Sequence, residues 1–119
     1  MAHILVVDDD IQIRRLVGRM LQIMGHEVDL VENGAVALDV LSETEIDLVI
    51  SDIYMPIMDG HTLFSTMRDR GFVQPFIFLS GHMTENSHAV LRADAFVGKP
   101  FTFADLIEAV DGVLSRVPV

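Results

Sequence analysis

Cysteine and tryptophan are absent from this chain, and tyrosine and lysine occur once each in its 119 residues. Without cysteine there is no disulfide, no thiol nucleophile and no thiolate metal ligand, a composition that fits a cytoplasmic protein. Long hydrophobic runs are also missing. The aliphatic and aromatic stretches, of which Ile4 to Val7 and Phe76 to Leu79 are the most prominent, fall far short of the ~18 residues needed to span a bilayer. The opening MAHILVVDDD has no basic segment and meets acid at Asp8, so it does not read as a signal peptide. Positive charge is scarce: eight basic residues against eighteen acidic ones give a formal charge of -10. That field repels phosphate backbones and anionic membranes, which argues against direct nucleic-acid binding, while the short apolar runs leave no segment for membrane insertion. Because the other basic residues are arginines, any role that needs a flexible ammonium falls to Lys99. What is present is apolar side chain. Half the residues are hydrophobic, enough to fill one core, and the length suits one domain, residues 1–119, with no linker, repeat or low-complexity tract.

Short apolar runs alternate with longer segments of helical period, the sequence form of repeated strand-helix units around a parallel sheet. Ile4 to Val7, Leu48 to Ile50, Phe76 to Leu79 and Ala95 to Val97 are continuous apolar runs, as strands covered on both faces require. Glu27 to Val31 partly alternates instead, so it is placed at an edge of the sheet. Ile13, Leu16, Val17, Met20, Leu21 and Met24 share one helical face that stops at Gly25. A second helix is capped by Asn33 and carries Gly34, Ala37, Leu38 and Leu41; a third carries Leu63, Phe64 and Met67 before Gly71. A short fourth helix falls within Thr84 to Ala93. The last, capped by Thr102, presents Phe103, Leu106, Ile107, Val110, Val113, Leu114 and Val117.

The polar residues matter by their position. Asp8, Asp9 and Asp10 follow the first strand, Asp52 the third, Ser80 the fourth and Lys99 the fifth, all at strand carboxyl ends, where open parallel sheets form their crevices. Carboxylates gathered in one crevice repel unless a cation sits among them, and oxygen donors without nearby His or Cys suit Mg²⁺. With Mg²⁺ and the Lys99 ammonium neutralising an incoming phosphoryl group, a carboxylate oxygen of Asp52 can attack phosphorus and form an aspartyl phosphate. The Ser80 hydroxyl would then donate to a phosphoryl oxygen, a contact that exists only in the modified state. Each residue alone also has a plainer reading. The triplet can serve as a solvated helix cap, above all Asp10, while Asp52 can form a turn, Ser80 a cap and Lys99 a boundary before Pro100. The five histidines lack metal-ligand spacing, and the seven methionines suit packing.

Taken together, ILVVDDD, SDIYMPIMDG around Asp52, FLSGH at Ser80 and AFVGKPF at Lys99 stand in one order over essentially the whole chain. The sequence resembles the receiver domains of bacterial two-component response regulators. The resemblance implies a doubly wound, flavodoxin-like three-layer sandwich with strand order 2-1-3-4-5, which agrees with the edge position of the second strand. It implies that Asp8 and Asp9 bind Mg²⁺, with Asp9 favoured as the direct ligand, that Asp52 is the phosphoacceptor, and that the main-chain carbonyl of Tyr54 is the remaining protein ligand. It further makes Ser80 the hydroxyl switch residue, Lys99 the phosphate-contacting lysine, Pro100 the proline after a cis peptide, and Phe96 the aromatic switch. The implied partners are a sensor histidine kinase or histidine phosphotransfer protein and a downstream protein target.

Some features depart from the family's commonest pattern. The interval from Ser80 to Lys99 is about one helical turn short, which bears on the usual output surface of fourth helix, fifth strand and last helix. Phe96 lacks the hydroxyl of a tyrosine, so a switch there must work through ring packing. By the same resemblance, Tyr54 and His82 are expected to flank the path of an attacking water. The enzyme alternative is a phosphatase of the haloacid-dehalogenase type, imitated by Asp8-x-Asp10, Ser80 and Lys99. It would need a small or hydroxyl residue where the chain has Gln12, and it gives Asp52 no role. A nucleotide or flavin module is weaker, because the first loop is acidic where a phosphate cradle is glycine-rich.

Overall fold

Three polar side chains set where helices begin. In the computed structural model, which describes residues 1–81 and 93–116, Asp10, Asn33 and Thr102 each cap a helix by accepting from backbone N–H groups of its first turn. A fourth cap, Asp59, had no sequence assignment; its Oδ1 accepts from Thr62 N at 2.8 Å. The element order is β1 (His3–Val7), α1 (Ile11–Ile23), β2 (Glu27–Val31), α2 (Gly34–Glu43), β3 (Leu48–Asp52), α3 (Gly60–Asp69), β4 (Phe76–Ser80), β5 (Ala95–Gly98) and α4 (Phe103–Leu114). Gly25 and Gly71 follow the α1 and α3 caps with φ of 94° and 85°, the left-handed geometry that a Cβ disfavours. The short helix expected within Thr84 to Ala93 lies outside the described residues except for Ala93, as does Val117.

All strand pairs are parallel, and the sheet order is β2-β1-β3-β4-β5, so β2 is the edge strand its mixed pattern suggested. Strand side chains alternate between two faces. Leu5, Val7, Val49, Phe76 and Phe78 pack with α2 and α3 residues such as Leu38, Leu63 and Phe64, with Phe96 of β5 against them. Ile4, Val6, Leu48, Ile50, Ile77, Leu79 and Val97 pack with α1 and α4 residues such as Val17, Leu21, Leu106 and Val110. This is a doubly wound α/β sandwich of three layers. Leu16, whose spacing predicts the buried face of α1, is instead 46 % exposed. The helix seats Val17 and Leu21 at the centre of its contact, and a residue one position earlier is rotated by about 100° toward solvent.

Candidate functional site

Register and alternation together build the site. Ile4 and Val6 on β1, Leu48 and Ile50 on β3, and Ala95 and Val97 on β5 all face α1 and α4. Two residues further along each strand come Asp8, Asp52 and Lys99, which therefore emerge on that same face at the carboxyl edge. Since Val7 pairs with Ser51, Asp8 and Asp52 stand side by side on neighbouring strands. One carboxylate oxygen each from Asp8, Asp9 and Asp52 lies within 4.8 Å of the others. Asp8 is fully buried, Asp52 is 8 % exposed and Asp9 is open to solvent.

Like charges this close need compensation, and Lys99 supplies it. Its Nζ donates to Asp8 Oδ2 at 3.0 Å and lies 3.5 Å from Asp52 Oδ2. Burial pushes the Asp52 carboxyl above the ordinary carboxylate range; Lys99 opposes this, the Asp8 charge adds to it, and the Ile53 N–H opposes it more weakly. Burial alone would pull the Lys99 ammonium down. Its hydrogen bond to Asp8 and the charges of Asp8 and Asp52 outweigh that effect and hold the ammonium above its usual value. The donor set is three hard carboxylate oxygens with one ammonium at their side, which fits a small divalent cation of the Mg²⁺ class better than a soft metal.

Backbone groups orient the carboxylates. Ile53 N donates to Asp52 Oδ1 at 2.8 Å, and Asp10 N donates to Asp8 Oδ1 at 2.9 Å. Gly60 at the start of α3 lies so close to β3 that a Cβ there would collide with the Asp52 carbonyl oxygen, and its N–H donates to Ile53 O at 2.7 Å. Ser80 is buried at the end of β4, paired with Gly98, and its carbonyl accepts from Lys99 N at 2.8 Å. Phe96 is paired with Phe78 and half-buried. The Lys99–Pro100 peptide is cis. Tyr54 follows Asp52 by two residues, with its side chain half-exposed.

Thus Asp8, Asp9, Asp52 and Lys99 converge, with Ser80 on the neighbouring strand end and Phe96 on the strand beyond it. Asp10 stands apart: its Oδ1 accepts from Gln12 N and Ile13 N at 2.9 and 3.4 Å, so its carboxylate is engaged as the α1 cap rather than as an acid-base group. Two residues beside the site escaped sequence reasoning. Gly60 was signalled only by the Asp-Gly pair that ends SDIYMPIMDG. Arg14, whose Nη1 donates to Asp8 O at 2.8 Å, looked like any surface arginine of an amphipathic helix.

A parallel five-stranded sheet of order 2-1-3-4-5 with an acidic cluster and a lysine at its carboxyl edge defines the receiver class of fold and site. The chain belongs to the response regulator receiver domain family, whose model matches residues 4–111. Over 98 % of its length it is 32 % identical to the transcriptional regulatory protein PcoR of Escherichia coli, covering 53 % of that protein. Over 97 % of its length it is 36 % identical to the sensor kinase CckA of Brucella abortus, covering 13 % of that protein. The chain therefore spans about half of one curated relative and a small part of the other. Among solved structures it is similar to the response regulator TrrA of Thermotoga maritima in complex with Mg²⁺-BeF, with a TM-score of 0.88 at 36 % identity, covering 96 % of this chain and 100 % of that one. TrrA is also seen in complex with the histidine kinase ThkA, where the match has a TM-score of 0.87 at 36 % identity over 96 % of this chain and 99 % of that one. No helix among the described residues is long and apolar enough to cross a membrane.

Proposed function

We propose that residues 1–119 act as one cytoplasmic receiver unit in which Asp52 accepts a phosphoryl group from the phosphohistidine of a sensor histidine kinase or histidine phosphotransfer protein. The observation that carries this reading is the convergence of the Asp8, Asp9 and Asp52 carboxylates within 4.8 Å, with Lys99 Nζ 3.0 and 3.5 Å from two of them. Asp8, Asp9, Asp52 and the main-chain carbonyl of Tyr54 would hold Mg²⁺. Bound there, the ion supplies Lewis-acid neutralisation of the negative charge on the phosphoryl oxygens.

The chain's own residues do the rest. The Ile53 N–H holds the plane of the Asp52 carboxylate, so one oxygen is presented to phosphorus while the other stays anchored. The new bond joins that oxygen to phosphorus; the bond from phosphorus to the donor imidazole breaks, and the imidazole nitrogen keeps the electron pair. Lys99 already stands beside Asp52 and can shift its hydrogen bonds to a phosphoryl oxygen. Ser80 donates its hydroxyl to another, and Phe96, which packs on the Phe78 side of the sheet, turns inward as that region moves. A coupling of ~1 to 3 kcal/mol between site and surface suffices for such a switch. The protein then acts as a signalling phosphoacceptor that assists its own phosphorylation and dephosphorylation, with a protein target as its output.

The test is the mass of the intact protein after incubation with a small acyl phosphate, with and without Mg²⁺. One phosphoryl adduct that requires Mg²⁺ and is lost in Asp52→Asn supports the reading. An adduct that survives Asp52→Asn and disappears with Asp8→Asn moves the nucleophile to β1 and overturns it.

A further inference from the structure

The peptide joining Asp8 to Asp9 is gripped from outside the acidic cluster. Its carbonyl belongs to Asp8 and accepts from Arg14 Nη1 at 2.8 Å, and Arg14 itself is anchored by its own N–H to Asp10 O at 2.9 Å. The neighbouring peptide of Asp8 is tied to the edge strand through Asp8 N and Val31 O at 3.1 Å. The Asp8 carboxylate has two further holds, Asp10 N on Oδ1 and Lys99 Nζ on Oδ2. Asp9 is different. It is exposed, and the direction in which it leaves the chain depends on the plane of the Asp8–Asp9 peptide. Of the two peptides that flank Asp9, the following one is held by Asp10 N on Asp8 Oδ1, and Arg14 holds the preceding one, whose rotation would swing Asp9 away from Asp8 and Asp52.

From this we infer that Arg14 is a positioning residue for divalent-cation binding, acting through the Asp8 carbonyl to aim Asp9. The inference rests on the reading of Asp8, Asp9 and Asp52 as the cation site. It makes a claim opposite in sign to what charge alone would give. A guanidinium near a cation site repels the cation, so removing it should tighten binding if charge were its only contribution. Loss of the hold on the peptide should weaken binding, because Asp9 must then be ordered by the ion itself.

The experiment is a Mg²⁺ titration followed through the fluorescence of Tyr54, the sole tyrosine in a chain without tryptophan, in wild type, Arg14→Met, Arg14→Lys and Arg15→Met. Arg15 is the exposed neighbour on α1, so Arg15→Met removes the same charge without touching the Asp8 carbonyl. Arg14→Met should weaken Mg²⁺ binding about fivefold or more, the scale of one lost charge-assisted hydrogen bond. Arg15→Met should leave binding unchanged or slightly tighter, and Arg14→Lys, which keeps a cationic donor on a long stem, should recover part of the loss. A thermal melt of each variant separates aim from folding: the loss for Arg14→Met must appear at temperatures where the variant is folded. Should Arg14→Met not fold, Arg14→Lys still decides, since its ammonium ends one bond short of the Nη1 that reaches the Asp8 carbonyl and a small loss is expected. Equal or tighter binding in Arg14→Met, or in Arg14→Lys if that is the variant that folds, overturns the inference. No binding by wild type overturns the cation-site reading itself and the inference with it.

Discussion

Gly60→Ala places one methyl group where the turn from β3 into α3 leaves no room. The added Cβ would run into the Asp52 carbonyl oxygen and come within 3.0 Å of Ile53 Cα, both backbone atoms of the strand that carries the site. Neither can rotate away as a side chain end can, so the start of α3 must move and the 2.7 Å bond from Gly60 N to Ile53 O must stretch or break. The lost bond is worth ~1 kcal/mol and the overpacking ~1 to 3 kcal/mol, together about 2 to 4 kcal/mol. For a chain of this size that lowers the melting temperature by roughly 8 to 16 °C. Gly18→Ala is the internal comparison. Its Cβ would come within 2.9 Å of Leu30 Cδ2, but that is the free end of an exposed side chain, and the helix gains ~1 kcal/mol of propensity. Its melting temperature should stay within about 3 °C of wild type. Thermal unfolding by circular dichroism, without divalent cation, reads both. If Gly60→Ala melts with Gly18→Ala, the close approach of α3 to Asp52 does not hold the site.

The remaining predictions concern charge and switching. Because the Asp52 carboxyl sits above the ordinary value of 3.8 in the folded protein, the native state holds that proton more tightly than the unfolded chain. The metal-free protein therefore loses stability as pH rises from about 3.8 through the folded value. Asp52→Asn removes this loss, so it should melt higher than wild type at pH 7 without Mg²⁺, and the advantage should vanish as pH falls toward 3.8; an advantage that grows toward acid would refute the assignment. Lys99→Met leaves the fully buried Asp8 carboxylate without its cation, which should cost ~3 kcal/mol or more at neutral pH in denaturant unfolding. A cost below ~1 kcal/mol would show that Lys99 does not hold the cluster. Ser80→Ala should still acquire the phosphoryl group while the nuclear magnetic resonance signals of the Phe96 ring cease to shift on phosphorylation; an undiminished shift removes Ser80 from the switch.

Most of the sheet could be read from residue order, because strands buried on both faces must be continuous apolar runs, and Ile4 to Val7 and Phe76 to Leu79 are too short for a buried helix. The candidate site was legible for the same reason: Asp8 and Ser80 directly follow such a run, and Asp52 and Lys99 stand two residues past one, at strand carboxyl ends where a buried polar group needs a partner or a purpose. Asp10 as a cap was readable from its place just before the first helical turn. Leu16 was not, since apolar spacing places it as well on the edge of a helical stripe as at its centre, and only packing against the sheet decides. Gly60 and Arg14 show a deeper limit. Both act on backbone atoms, the carbonyls of Ile53 and Asp8, and every residue has a carbonyl, so the partner leaves no mark in composition or periodicity.

The central proposal is Asp52 as the nucleophile. Phosphorylating the protein with a small acyl phosphate and Mg²⁺, reducing the acyl phosphate with borohydride, and sequencing the peptides by mass spectrometry locates it directly, because reduction turns a phosphorylated aspartate into homoserine. Homoserine at position 52 and at no other aspartate is the expected outcome of that proposal. Homoserine at position 8 or 9, with Asp52 unchanged, would contradict it.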